Sequence, residues 1–275
     1  MKQVLFAWIA IALACTGCSS NKSTEVERTK SLILYYSQTG TTKTVAEELL
    51  KVLDADIEQI EAENPYSGTY EETITRCQQE MESGSLPALK PLQSDIHQYD
   101  TIYLGYPVWF GTCARPVLAL VEQEKFEGKT LIPFCTFGSG GLNATRDYLR
   151  KTLPAAKILD GYGVRTARIS RMPQELDRFL KEHGLVAGDV LQLPDFSEQQ
   201  PVTDEERAIF DAACGDYKFP LGTPVTVGKR PLEDGVEYKF TVTSKGKDGS
   251  EQNATILVIQ YKDENSKPEF TQVIR

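Results

Sequence analysis

Between residues 31 and 185, short apolar runs alternate with segments whose apolar residues recur at helical spacing. The runs are Ser31–Tyr36, Asp56–Ile60, Asp100–Leu104, Thr130–Phe134 and Ile158–Val164. The first is bounded by turn residues and predicts a buried strand, and the others are candidate strands of the same sheet. The periodic segments are Lys43–Val52, Tyr70–Met81, Arg115–Glu124, Asn143–Leu153 and Pro173–His183. Strands that alternate with helices imply an α/β fold with a parallel sheet covered on both faces. Five such units predict a doubly wound five-stranded sheet of order 2-1-3-4-5. A ligand in that arrangement binds beyond the carboxyl ends of the strands, where the order reverses. The loops after the first, third and fourth strands are therefore expected to converge.

The character of the chain changes after this region. Residues 186–216 read as a connection containing a helix over Asp204–Cys214. Residues 217–275 read as a small β-rich module. Its strands are expected at Tyr238–Val242, Ala254–Ile259 and Phe270–Ile274, with a hairpin turn around Lys247-Asp248-Gly249. A module this small buries little core by itself, so it is expected to pack on the first domain.

The N-terminus reads as a processing segment. A basic start, Met1-Lys2-Gln3, precedes an apolar run over Val4–Ala14. That run is shorter than the roughly 20 residues a spanning helix needs, which points to a secretory signal. Thr16-Gly17-Cys18-Ser19-Ser20 resembles a bacterial lipoprotein signal, residues 1–18, with Cys18 as the lipidated residue and Cys15 as a second candidate. Residues 19–30 are polar and predict a disordered tether. Together these imply a domain in the bacterial cell envelope, outside the cytoplasm, held to a membrane by an N-terminal lipid. The net charge of −9 gives no electrostatic footprint for nucleic acid, and that partner class is set aside. Cys77, Cys113, Cys135 and Cys214 match no CxxC or zinc spacing. An even number outside the cytoplasm leaves a disulfide open, while Cys135, inside an apolar run, reads as a core residue.

Chemistry concentrates in the three loops. The first, Ser37-Gln38-Thr39-Gly40-Thr41-Thr42, lies between a strand and a helix. A phosphate ester needs converging donors without bulk. Gly40 lets the backbone approach, and the hydroxyls and the helix N-terminus aim at one point. One threonine is explained as a helix cap, but a cap does not need four hydroxyl residues in six positions. The loop lacks both GK[ST] and GxGxxG. The second, Tyr106-Pro107-Val108-Trp109-Phe110-Gly111-Thr112, puts two aromatics at a strand end, either as a cap on the core or as a wall for a flat ring. The third, Thr136-Phe137-Gly138-Ser139-Gly140-Gly141, holds glycines whose cost is justified where backbone must approach a ligand or take positive φ.

These loops, in this order and spacing, resemble the three FMN loops of flavodoxins. The segment from Glu61 through Pro65-Tyr66 to Tyr99-Asp100 is similar to a flavodoxin-like branch found in bacterial lipoproteins and small flavoproteins. The resemblance covers about residues 31–185 and implies a flavodoxin-like domain that binds FMN non-covalently. It assigns the phosphate to Ser37, Gln38, Thr39, Gly40, Thr41 and Thr42. It assigns the ring to Pro107, Val108, Trp109, Phe110 and Gly111 on one side and to Phe137, Gly138, Ser139, Gly140 and Gly141 on the other. Gly111 would allow a peptide flip toward flavin N5–H. The function implied is electron transfer or flavin-dependent oxidoreduction, with an unidentified redox protein or a small quinone-like acceptor as partner. An NAD(P)H:quinone oxidoreductase and a non-redox envelope binding lipoprotein that keeps the fold are the alternatives. His97 and His183 are the only histidines and neither lies near a glycine loop, which disfavours a Ser/His hydrolase.

Overall fold

The computed structural model describes residues 31–138, 140–215, 217, 221–246, 249–263 and 266–274. The signal segment, the tether, Cys15, Cys18, Ser139 and the Lys247-Asp248 part of the expected hairpin turn lie outside the described residues. No helix among the described residues is long and apolar enough to cross a membrane.

The alternation builds the expected α/β sheet. Strand β1 (Ser31–Tyr35) is followed by α1 (Thr41–Val52), β2 (Ala55–Gln59) and α2 (Tyr70–Ser83). Then come β3 (Thr101–Trp109), β4 (Thr112–Cys113), α3 (Arg115–Gln123), β5 (Thr130–Phe137) and α4 (Leu142–Thr152). The domain closes with β6 (Lys157–Ile158), β7 (Tyr162–Arg165) and α5 (Met172–Glu182). The parallel order is β2-β1-β3-β5-β6, with β7 also on β5, so the predicted 2-1-3-4-5 arrangement is present. Alternate residues of β1 go to opposite faces, as the strand period requires. Leu32 and Leu34 join Val117, Val121 and Leu149 from α3 and α4. Ile33 and Tyr35 join Val45 and Leu49 of α1 and Leu176 and Leu180 of α5. These side chains are essentially unexposed, and burying each aliphatic one contributes about 1.5–3 kcal/mol.

Three strands of this sheet differ from expectation, the fourth only by running on from Phe134 to Phe137. The fifth is broken at Leu159–Gly161, where a Cβ on Gly161 would stand 2.1 Å from the Pro133 carbonyl oxygen. The third runs past Leu104 to Trp109 and folds back through β4. It can pass Gly105 because the Phe134 ring fills the space a side chain would take there.

The C-terminal residues form an antiparallel sheet of order β12-β11-β10-β9-β8, comprising β8 (Gln200–Pro201), β9 (Thr223–Leu232), β10 (Gly235–Lys245), β11 (Glu251–Tyr261) and β12 (Glu269–Ile274). Helix α6 (Asp204–Cys214) packs across it, and Phe210 and Cys214 share a core with Val227, Phe240, Ile256 and Phe270. The module sits on the first domain. Arg171 pairs with Asp234 in the β9–β10 turn, and the Arg165 guanidinium lies over the Phe270 ring at 4.3 Å. Cys77, Cys113, Cys135 and Cys214 are free and buried. Burial pushes the Cys113 and Cys214 thiols up to about 12, so these groups are protonated and inert near neutral pH.

Candidate functional site

The carboxyl ends of β1, β3 and β5 meet at one end of the sheet. In the first loop Gly40 caps α1 at φ 90°, a left-handed conformation that suits glycine. No side chain closes the helix N-terminus, so the first-turn N–H groups keep their donors free. Ser37 Oγ is buried with no hydrogen-bond partner, an orphan that asks for a ligand. Thr39 and Thr41 hydroxyls stand 3.4 Å apart at the surface of the same loop.

Two predicted residues are placed differently. The Thr42 hydroxyl is buried and shares a 2.8 Å hydrogen bond with Thr136 Oγ1, tying α1 to the end of β5. The Gln38 amide donates to Thr73 Oγ1 at 2.7 Å and to the Tyr66 carbonyl at 3.2 Å. Each therefore has its side chain engaged inside the protein and offers the loop its backbone.

The second loop is a tight hairpin. Trp109 pairs with Thr112, leaving Phe110 at φ 49° and Gly111 at φ 78° as the turn. Two positive φ values mark the turn that matches strand twist. Phe110 is 51% exposed. Trp109 is half-buried and packs edge-on against Tyr36 at 5.6 Å and Tyr66 at 5.1 Å. Pro107 accepts the Ala114 N–H at its carbonyl, which anchors the start of α3.

Tyr66 is held from behind. Arg76 lies over its ring at 3.7 Å and donates to the Asn64 and Pro65 carbonyls. The Tyr66 hydroxyl donates to Glu80 at 2.6 Å, and Glu80 also pairs with Arg76 and Arg115. Burial, then that bond to the Glu80 carboxylate, raise the Tyr66 phenol far above its ordinary value, so it stays a neutral donor. Tyr66 and Tyr36, both buried in the core, back Trp109 from inside and were not among the residues predicted for the wall. The Pro65-Tyr66 pair within a polar stretch was the available signal.

The third loop lies alongside the second, where a Cβ on Gly140 would touch Val108 at 3.7 Å. Gly138, Gly111 and Gly141 have open space where a side chain would project. The Gly138 carbonyl accepts from Arg165 Nε at 3.1 Å. Gly141 precedes α4, whose N-terminus also lacks a side-chain cap. Phe137 joins the core beside Leu142 and Val108. The described predicted residues thus gather at the carboxyl end of the sheet, with an uncapped helix N-terminus at each side and an aromatic corner between them. Among the described residues no cluster of His, Cys, Asp and Glu could hold a metal ion.

The family model described as Flavodoxin matches residues 30–178. A provisionally assigned flavoprotein from Bacteroides eggerthii is 30% identical over 54% of this chain and 96% of its own, with a TM-score of 0.47. One from Bacteroides uniformis, also provisionally assigned, is 29% identical over 54% of this chain and 98% of its own, with a TM-score of 0.48. A flavoprotein from Lactobacillus acidophilus, solved in complex with FMN, is 22% identical over 52% of this chain and 98% of its own, with a TM-score of 0.45. No curated protein matches the chain.

Proposed function

Because this chain belongs to the flavodoxin family, we propose that it binds FMN non-covalently across the three loops and uses it in electron transfer. The observation that carries this reading is the buried, unpartnered Ser37 hydroxyl beside the uncapped N-terminus of α1. An anionic phosphate answers both, since it accepts from O–H and N–H donors and suits the positive end of a helix dipole. Thr39 and Thr41 complete the donor set. Trp109, backed by Tyr36 and Tyr66, and the exposed Phe110 supply the apolar surface a flat ring requires. Open space above Gly111, Gly138 and Gly141 lets the backbone reach the ring edge. Bound FMN supplies the redox chemistry, and the protein's part is to hold and orient it.

Titration of the purified chain with FMN and with riboflavin tests this. FMN is expected to bind and give a yellow protein. Ser37→Ala is expected to weaken FMN by roughly tenfold or more, since a hydrogen bond to a charged group is worth about 1.5–3 kcal/mol. Riboflavin, which has no phosphate, is expected to bind both forms alike. Equal loss of both ligands would move the phosphate elsewhere, and a protein that refuses FMN would end the proposal.

The lipoprotein reading belongs to the same proposal. Cys18 would carry the anchor and residues 19–30 the tether, placing the flavin site outside the cytoplasm near a membrane. Cys18→Ala is expected to shift the protein from the membrane fraction to the soluble fraction. Retention in the membrane fraction, with release by Cys15→Ala instead, would relocate the lipid.

A further inference from the structure

A cleft of about 820 Å³ opens between the third loop and the C-terminal module. Phe137, Gly140, Gly141 and Asn143 line one side, and Gln272 and Val273 of β12 line the other. Arg165 and Arg168 belong to the same lining, which contains no Asp or Glu among the described residues. In a chain of net charge −9 that is a local inversion of sign.

The two arginines differ in how they are paired. Arg168 is bonded to Glu175, and its Nε is buried without a partner. Arg165 has no carboxylate beside it among the described residues. Its Nε donates to the Gly138 carbonyl, and its plane faces the rings of Phe270 at 4.3 Å and Tyr217 at 5.3 Å. Its terminal nitrogens make no hydrogen bond among the described residues. Desolvation lowers its pKa from the ordinary value, as expected of a charge short of a counter-ion. A guanidinium fixed on aromatic faces with its fork free is the form that recognises carboxylates. The uncapped N-terminus of α4 adds its dipole to the same space.

We propose that this cleft binds a small organic anion, a carboxylate on an apolar body, with Arg165 as its anchor and β12 as its second wall. The volume and the apolar surfaces of Phe137 and Val273 exceed what an inorganic ion would use. Gly111, Phe137, Gly140 and Gly141 are shared with the loops assigned to FMN. The ligand's role as the flavin's neighbour and reaction partner rests on that assignment, whereas its binding does not.

The test is calorimetric titration of the full chain, FMN-saturated and flavin-free, with naphthalene-2-carboxylate, naphthalene-2-carboxamide and inorganic phosphate. The carboxylate is expected to bind about tenfold or more tighter than the carboxamide in both forms, as a charge-assisted pair requires. Arg165→Gln is expected to abolish that preference and Arg165→Lys to keep part of it. Gln272→Trp, which fills the cleft from the module side, is expected to weaken both aromatic ligands with Arg165 intact. Equal or absent binding of the two, a preference that survives Arg165→Gln, or binding of phosphate alone would overturn the proposal. So would carboxylate binding that FMN simply displaces, because the cleft would then be the flavin's own slot. A chain that takes the carboxylate but never FMN would refute the flavin reading and leave the anion site standing.

Discussion

Phe110 holds φ at 49° on a hairpin tip and is half-exposed. An L side chain in the left-handed region costs of order 1–3 kcal/mol, and a large apolar ring in water gains nothing in return. Gly111, next to it, occupies the same region without that penalty. The strain is consistent with a ring kept for a ligand. Phe110→Gly is expected to raise stability by about 1 kcal/mol in a denaturant melt while weakening FMN several-fold. A variant that is more stable and binds FMN unchanged would remove Phe110 from the site. At this scale the sequence shows which residue types gather in a loop and not which way they turn. Four hydroxyls surround Gly40, yet Thr42 is drawn inward by Thr136, a partner 94 positions away. Gln38 is likewise drawn to Thr73. Nothing local to the loop encodes either pairing.

The helices divide by how they begin. Helices α2 and α6 start with complete capping boxes, Thr69 with Glu72 and Thr203 with Glu206. Helices α3 and α5 have no side-chain cap but carry a proline in the first turn, which has no N–H to satisfy. Helices α1 and α4 have neither device, and both point at the candidate site. Removing a box elsewhere should therefore affect stability alone. Thr203→Ala is expected to destabilise the C-terminal module by about 1 kcal/mol, read by thermal melting, with FMN affinity unchanged. The apolar periods made the helices legible to within about two residues of their ends. Strand β9 was not legible, because Pro224, Gly228, Lys229, Arg230 and Pro231 read as a loop. Its pairing with β10 and burial of Val227 override those local preferences. The break in the fifth strand was hidden for a related reason. Gly161 matters because of Pro133 across the ladder, not because of its neighbours in sequence.

The two parts of the molecule are joined by few polar links, chiefly Arg171 with Asp234 and Arg165 with the rings of Phe270 and Tyr217. Arg171 is 12% exposed and Asp234 44%, so losing the carboxylate strands a mostly buried cation. After allowance for solvent at Asp234, Asp234→Ala is expected to loosen the docking by about 1 kcal/mol. Limited proteolysis of the irregular segment 186–199, where Leu191 is 67% exposed, should then run several-fold faster. Unchanged cleavage would show that the rings alone hold the module. The anion cleft could not be read from the chain, since Arg165 and Gln272 are 107 positions apart and meet only when both parts are folded. Strand β12 ends the second sheet, pairs with β11 and lies against the first domain at Thr166–Arg171. Its outer edge has no partner strand among the described residues, and such an edge is a template for another chain. Docking therefore also acts as a guard against aggregation. A molecule whose two parts come apart presents six residues, Glu269–Ile274, ready to pair with a second copy.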